Sequence, residues 1–350
     1  MHPQPVARRR AGVNRCRPRL AACAAGLALG MPLLAAALGS WHGWPPNFGK
    51  DGRLVEVTGF GSNPGQLRMF TYVPRGLEPG RPLVLALHGC TQQANGYDDE
   101  TGWTAMADRY RFALLLPQAT INLARCFRWF DPAHSSRDRG EALSLRQMRD
   151  RMLGEHQLDP GRVYVTGLSA GGAMTSVLLA VYPDLFAGGA IVAGIPFRCA
   201  GNESEAQRDC GLFGRPLGPG RNRSAQEWAA LVRAASQHPG PFPRVSLWHG
   251  TLDNMVHQQD QIALMQQWTA VHGIDQVADA EQIEGGHLRK VYRNDAGEAL
   301  VETWLVSGLA HGVPVDPGEG AGKCGRAAPF VLTAGICASE RIVQFWAIEK

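Results

Sequence analysis

The chain has 350 residues, 45% apolar and 19% charged, which suits one large α/β domain or two small ones and excludes wholesale disorder. Its net charge of +4 sits at one end: residues 1–39 hold Arg8, Arg9, Arg10, Arg15, Arg17 and Arg19 and no acid, and without these six the 35 basic residues become 29 against 31 acids. The remainder, net −2, gives no electrostatic ground for nucleic-acid binding.

The N-terminus reads as a secretion signal over residues 1–39. Its basic region precedes an Ala/Leu-rich stretch from Leu20 to Leu38, with small residues Ala35, Ala37 and Gly39 at the cleavage end. An uncleaved anchor is the competing reading, because the stretch is about long enough to span a bilayer. The dominance of alanine favours cleavage. Leu20-Ala21-Ala22-Cys23 has the form of a lipoprotein cleavage site but lies before the apolar run rather than after it. Arg8–Arg10 is followed by a poor twin-arginine continuation. A secreted or periplasmic protein with no stable membrane association is expected.

Six cysteines follow the leader: Cys90, Cys126, Cys199, Cys210, Cys324 and Cys337. An even count in an exported chain predicts disulfides. Local pairing favours Cys199–Cys210 and Cys324–Cys337, leaving Cys90–Cys126. Buried free thiols are the alternative. No CxxC or close Cys/His cluster points to a metal.

Residues 40–53, with Pro45-Pro46, form a lead-in to a single domain expected over 54–350. Leu54–Phe60 and Leu67–Val73 read as strands around the turn signal Ser62-Asn63-Pro64-Gly65, an antiparallel edge hairpin. Pro82–Leu87 is apolar on both faces, as a doubly covered strand requires. A helix is predicted over Trp103–Arg111 and a buried strand over Phe112–Leu116. A second helix covers Glu141–Gln157, with Leu143, Met148, Met152 and Leu153 at helical spacing. Strand Arg162–Thr166 runs into helix Ala170–Tyr182. Strands Ala187–Gly194 and Arg244–Trp248 follow, with helices near Ser224–Ser236 and Gln258–His272. Gln282–Gly285, His287–Arg293 and Leu300–Val306 are further strands. Ala338–Ile348 is a closing helix with Ile342, Phe345 and Trp346 on one face. Strands alternating with helices mean a mostly parallel sheet covered on both faces.

The chemistry is concentrated at Gly167-Leu168-Ser169-Ala170-Gly171. With 42 glycines in the chain the pattern alone is weak. Placed where an apolar strand meets an apolar helix, it becomes a candidate nucleophile elbow, with glycines where a Cβ would strike neighbouring backbone. An acyl-transfer serine needs a base, an acid that orients the base, and oxyanion donors. In the α/β-hydrolase fold these occur in the order serine, acid, histidine. Asp253, beyond the strand Val245–Trp248, and His311, beyond the last strand, supply that order. Asp260 is a weaker rival acid inside a predicted helix, and Asp253 itself has a bland alternative as a helix cap. Among histidines, His88 and His249 at strand ends are expected to order loops. His257 and His272 flank a helix, and His287 is the chief rival base. The turn Leu87-His88-Gly89-Cys90-Thr91 is the expected oxyanion turn, through the N–H of Cys90 or of Thr91 paired with that of Ala170.

Taken together, Leu87-His88-Gly89-Cys90-Thr91-Gln92, Cys126-Phe127-Arg128-Trp129-Phe130-Asp131, Gly167–Gly172 and His249-Gly250-Thr251-Leu252-Asp253 make the chain resemble the polyhydroxybutyrate-depolymerase-like esterases, relatives of feruloyl and acetylxylan esterases. The resemblance runs from about Gly65 to the C-terminus. It implies an α/β-hydrolase fold, a Ser169–Asp253–His311 triad, no cofactor, and an ester substrate, polyester or polysaccharide. It places Trp129 near the active-site mouth, as an apolar wall or as a core residue. In the family the histidine is usually followed by Ala-Trp, where this chain has Gly312-Val313-Pro314. Members acting on solid polymer commonly carry an adsorption domain beyond the catalytic one. This chain reaches Lys350 directly after its closing helix, so soluble oligoesters, or aryl and acetyl esters of plant polysaccharides, fit at least as well. A serine peptidase on the same fold and a non-catalytic binding protein are the readings from other classes.

Overall fold

The computed structural model describes residues 52–120 and 124–349. The expected signal at 1–39 and most of the lead-in lie outside the described residues. Among those described, no helix is long and apolar enough to cross a membrane.

Strands β1 (Val55–Val57) and β2 (Arg68–Tyr72) form the edge hairpin, Val55 opposite Thr71. The Asn63 side chain closes its turn, donating to the carbonyl of Leu67 and accepting from its N–H. Then come β3 (Leu83–Leu87), α1 (Ala94–Glu100), α2 (Trp103–Tyr110), β4 (Ala113–Gln118), α3 (Gly140–His156), β5 (Val163–Leu168), α4 (Ala170–Val181) and β6 (Gly188–Val192). The second half holds α5 (Glu203–Asp209), α6 (Ala225–Ser236), β7 (Arg244–Gly250), α7 (Gln259–His272), β8 (Ala280–Glu284), β9 (His287–Arg293), β10 (Ala299–Val306), β11 (Val313–Val315), β12 (Val331–Thr333) and α8 (Ala338–Phe345).

Ten strands make one sheet in the order β1-β2-β4-β3-β5-β6-β7-β10-β9-β8. From β4 to β10 the pairing is parallel, and it turns antiparallel toward both edges. This is the expected α/β-hydrolase architecture. Alternation along each strand feeds two cores. Leu83, Leu85 and Leu87 join the core under α3, α4, α6 and α7, while Val84 and Ala86 join the one under α2 and α8. The closing helix is sealed by Trp346, whose ring stacks on Tyr164 at 4.9 Å and Trp103 at 6.0 Å. Between β7 and β10, Trp248 and Trp304 stack at 4.7 Å as cross-strand partners.

Several local expectations shift. The buried face of α3 is Ala142, Leu145, Met148 and Met152, while Leu143 and Leu153 are half-buried. Helices α1 and α5 and the small parallel pair β11/β12 carry no strong periodic signal. Helix α1 is kinked at Asn95 and Gly96, and α5 is a short segment between the two cysteines of a disulfide. All three expected disulfides form: Cys90–Cys126, Cys199–Cys210 and Cys324–Cys337.

Candidate active site

Because β5, β7 and β10 run parallel within four adjacent strands, the loops after them leave one rim of the sheet. Ser169, Asp253 and His311 stand on those three loops.

Ser169 occupies the turn between β5 and α4 with φ 56° and ψ −117°, a region costly for a residue with a side chain. Its N–H is held by the Val192 carbonyl at 2.9 Å. The flanking glycines are required by contact. A Cβ at Gly171 would overlap the backbone oxygens of Leu87 and His88, and one at Gly167 would overlap the backbone of Gly171. The same closeness packs the start of α4 onto the candidate oxyanion turn after β3.

Asp253 is brought to His311 by a hydrogen-bonded seam between two loops. Thr251 N–H donates to Val306 O at 3.0 Å, Leu252 N–H to Leu309 O at 2.9 Å, and Gly308 N–H to the Thr251 hydroxyl at 2.8 Å. At the end of that seam His311 Nδ1 lies 2.7 Å from Asp253 Oδ2. Asp253 Oδ1 accepts the N–H groups of Met255 at 2.8 Å and Val256 at 2.9 Å. Burial works to raise the Asp253 pKa, but the hydrogen bond and charge of His311, the Val256 N–H and the charge of His249 outweigh it. The carboxyl therefore stays below its ordinary value. The ring of His311 is almost covered, with Phe330 edge-on at 5.9 Å. Within the departure Gly312-Val313-Pro314, Val313 and Pro314 begin β11, which pairs with β12, and Val313 N–H donates to Phe330 O at 2.9 Å.

At the turn after β3 the Thr91 N–H is spent on the Ala124 carbonyl at 2.5 Å, so Thr91 is not a free donor. The Cys90 and Ala170 N–H groups have no hydrogen-bond acceptor among the described residues. Gln92, beside them, accepts from Gly89 N–H at 2.9 Å and donates to Pro329 O at 3.1 Å, tying the turn after β3 to the Phe330 loop. The Cys126–Asp131 segment is anchored to α3 through Glu141, which accepts from Arg128 N at 2.7 Å and Nε at 3.1 Å. Trp129 is buried within the larger core, edge-on to Phe130, which is the packing of a core tryptophan.

None of the other candidates bonds to the Asp253–His311 pair in place of a triad member. Asp260 is fully buried in the first turn of α7, its carboxyl filling the space that the missing side chain of Gly211 leaves. Burial, with the charge of Asp253 second, pushes its pKa well up, and neither carboxyl oxygen has a hydrogen-bond partner among the described residues. His287, the rival base, has both ring nitrogens engaged, Nε2 on Ala334 O at 2.9 Å and Nδ1 accepting from Ser307 N–H at 3.2 Å. His249 donates from Nε2 to Val256 O at 2.9 Å and closes the acid loop on itself; burial lowers its pKa. His257 accepts from Gln259 N–H at 3.2 Å just before α7.

His88 and His272 are structural and set an acid limit on stability. Burial pushes each down to about 4, His88 between Gly89 O and Ala119 N–H, His272 on Pro243 O at 3.1 Å. Each folded-state pKa lies below the ordinary value near 6.5, so the unfolded chain takes the proton first. Their stabilisation is complete above about pH 6.5 and is lost as pH falls toward about 4, on the order of 3 kcal/mol per ring. Glutamine at 272 retains a donor for Pro243 O and does not titrate. In urea titrations of His272→Gln, the fall in unfolding free energy between pH 6.5 and 4 should shrink by that amount; an unchanged fall would show that His272 is already charged in the folded protein.

A family model described as Esterase PHB depolymerase matches residues 67–290, a span that holds Ser169 and Asp253. The chain is 44% identical over 298 residues to poly(3-hydroxyalkanoate) depolymerase C of Paucimonas lemoignei, covering 84% of this chain and 70% of that protein. It is 33% identical over 267 residues to feruloyl esterase B of Talaromyces stipitatus, covering 75% and 73%. An acetyl xylan esterase structure from Aspergillus awamori shares the fold, with a TM-score of 0.69 at 22% identity over 84% of this chain and 99% of that one. With the sheet order of an α/β-hydrolase and a nucleophile-type turn inside the matched span, the chain belongs to the PHB depolymerase esterase family and is a carboxylic ester hydrolase.

Proposed function

We propose that the chain is an exported serine esterase that cleaves polyhydroxyalkanoate-type esters through Ser169, His311 and Asp253. The 2.7 Å contact between His311 Nδ1 and the covered Asp253 carboxylate carries the mechanism. That bond fixes the imidazole with its proton on Nδ1, leaving Nε2 as the base. His311 takes the Ser169 hydroxyl proton as Oγ attacks the ester carbonyl carbon. The oxyanion is received by the N–H groups of Cys90 and Ala170, which have no acceptor among the described residues, each donor worth about 3–4 kcal/mol in such sites. Collapse expels the alcohol, which takes the proton from His311. Water, deprotonated by the same ring, then attacks the acyl-Ser169 ester and releases the acid.

The substrate class rests on the 44% identity to a poly(3-hydroxyalkanoate) depolymerase. A panel of 3-hydroxybutyrate oligomers, methyl ferulate and acetylated xylan tests it. The oligomers are expected to show the highest kcat/KM by about tenfold or more, and a preference for either plant ester would replace this reading. The three disulfides fit an oxidising compartment. Export is checked by the mass of the protein recovered outside the cytoplasm, which should begin near residue 40.

A further inference from the structure

The candidate oxyanion turn between β3 and α1 is irregular backbone, with Thr91 at φ 69°, and such backbone aims a donor only where something holds it. Cys90 N–H, one of the two proposed donors, belongs to the peptide unit that joins Gly89 to Cys90. In a planar trans peptide the carbonyl and the N–H point opposite ways, so whatever grips Gly89 O also aims Cys90 N–H. Two groups grip it. His88 donates from Nδ1 to Gly89 O at 2.7 Å, its other ring nitrogen accepting Ala119 N–H at 3.2 Å. Gln92 N–H donates to the same oxygen at 3.2 Å.

Gln92 also holds the other side of Gly89. Its Oε1 accepts Gly89 N–H at 2.9 Å, and Gly89 is buried, so that donor needs an acceptor within the protein. The contact is close: a Cβ on residue 89 would stand 3.0 Å from Oε1. The amide has a single orientation here, because its far end meets a backbone group of the opposite kind. Nε2 donates to Pro329 O at 3.1 Å, which keeps Oε1 on Gly89. Pro329 precedes Phe330, whose ring lies edge-on to His311. One side chain therefore ties the turn that carries Cys90 to the loop beside the base.

We propose that Gln92 is a positioning residue for ester cleavage: by clamping Gly89 from both sides it keeps Cys90 N–H aimed at the oxyanion. This inference rests on the triad reading above. The Cys90–Cys126 disulfide and the Thr91 N–H bond to Ala124 O fix the chain from Cys90 onward, but neither grips the Gly89–Cys90 plane. A peptide plane beside a glycine can rotate with little movement of its neighbours, so the clamp is what prevents that rotation. Acting through Cys90, Gln92 matters most when charge develops on the carbonyl oxygen and little while the ester is merely bound.

The test uses p-nitrophenyl butyrate as substrate and an alkyl trifluoromethyl ketone as inhibitor. The ketone carbon takes Ser169 Oγ to form a tetrahedral oxyanion, while the hydroxyl proton passes to His311. Gln92→Met keeps the length of the side chain and removes both of its bonds. It should lower kcat at least about tenfold with KM within about threefold, and raise the inhibition constant of the ketone by the factor that kcat/KM loses. Gln92→Glu keeps the acceptor for Gly89 N–H and loses only the donor to Pro329 O, so its kcat should stay within about fivefold of the parent. Parental kcat in Gln92→Met overturns the proposal. A fall in kcat/KM that the ketone does not follow also overturns it, since the donors would then be intact. So does an equal fall in both variants, which would place the effect at Pro329. If Gln92→Met fails to fold, Gln92→Ala must show the same split between kcat and KM. Failure of the triad reading is seen separately, as activity retained by Ser169→Ala.

Discussion

Ser169→Ala is expected to lower kcat on a short-chain p-nitrophenyl ester by about 10⁴-fold or more, while leaving the thermal midpoint close to that of the parent. The magnitude follows from removing a nucleophile whose partners act as one unit: without Oγ, neither the imidazole nor the oxyanion donors have an acyl-enzyme to form. Residual rate then comes only from the donors and from substrate positioning. Fold retention is expected because Ser169 is anchored through its backbone N–H on Val192, which alanine keeps. Its φ of 56° is no harder for alanine than for serine. The checks are steady-state kinetics with a folded-state measurement, and loss of labelling by a fluorophosphonate probe. Activity within tenfold of the parent would remove Ser169 as the nucleophile.

Asp253→Asn should cost nearly as much, about 10⁴-fold in kcat, for a reason specific to this loop. Asp253 Oδ1 already accepts two backbone N–H groups, from Met255 and Val256. Asparagine keeps those bonds only by placing its carbonyl oxygen there, which turns its NH₂ toward His311. Two donors cannot face each other, so Nδ1 must present its lone pair and the ring proton moves to Nε2. The base position is then blocked although the geometry is intact. Loss of the carboxylate charge also removes the partner of the imidazolium that forms on proton transfer. The thermal midpoint should move little, which separates this effect from disruption of the loop. An Asp253→Asn protein retaining a tenth of parental activity would show that another group orients His311.

Much of the frame was legible because its causes are local. Strands buried on both faces must be apolar at every position, so Leu83–Leu87 and Ala113–Gln118 could be placed closely from composition. Helix α6 begins at Ser224 with a Ser-x-x-Glu capping box, readable from four residues. What escaped was structure that owes its existence to distant partners. The β11/β12 pair is six residues in all, below any periodic signal, and forms because the two short segments meet. Phe330 carries no motif, and it lies beside His311 where that pair forms. The face of α3 was misjudged because Leu143 and Leu153 satisfy helical spacing nearly as well as Ala142 and Leu145. Only the position of the sheet selects between them.

Sequence by itself determined the fold class, the Ser169 turn and the order of the candidate partners along the chain. These follow from patterns within a few residues and from strand–helix alternation. Tertiary structure alone decided which groups meet and which donors are free. The contact between His311 and Asp253 spans 58 residues, and the Gln92 bond to the Phe330 loop spans 237. It engaged both nitrogens of His287, took up the Thr91 N–H, and left those of Cys90 and Ala170 without an acceptor among the described residues. Chain order sets who is eligible to meet. Hydrogen-bond competition among buried groups, in which an unpaired donor or acceptor is costly, sets who does.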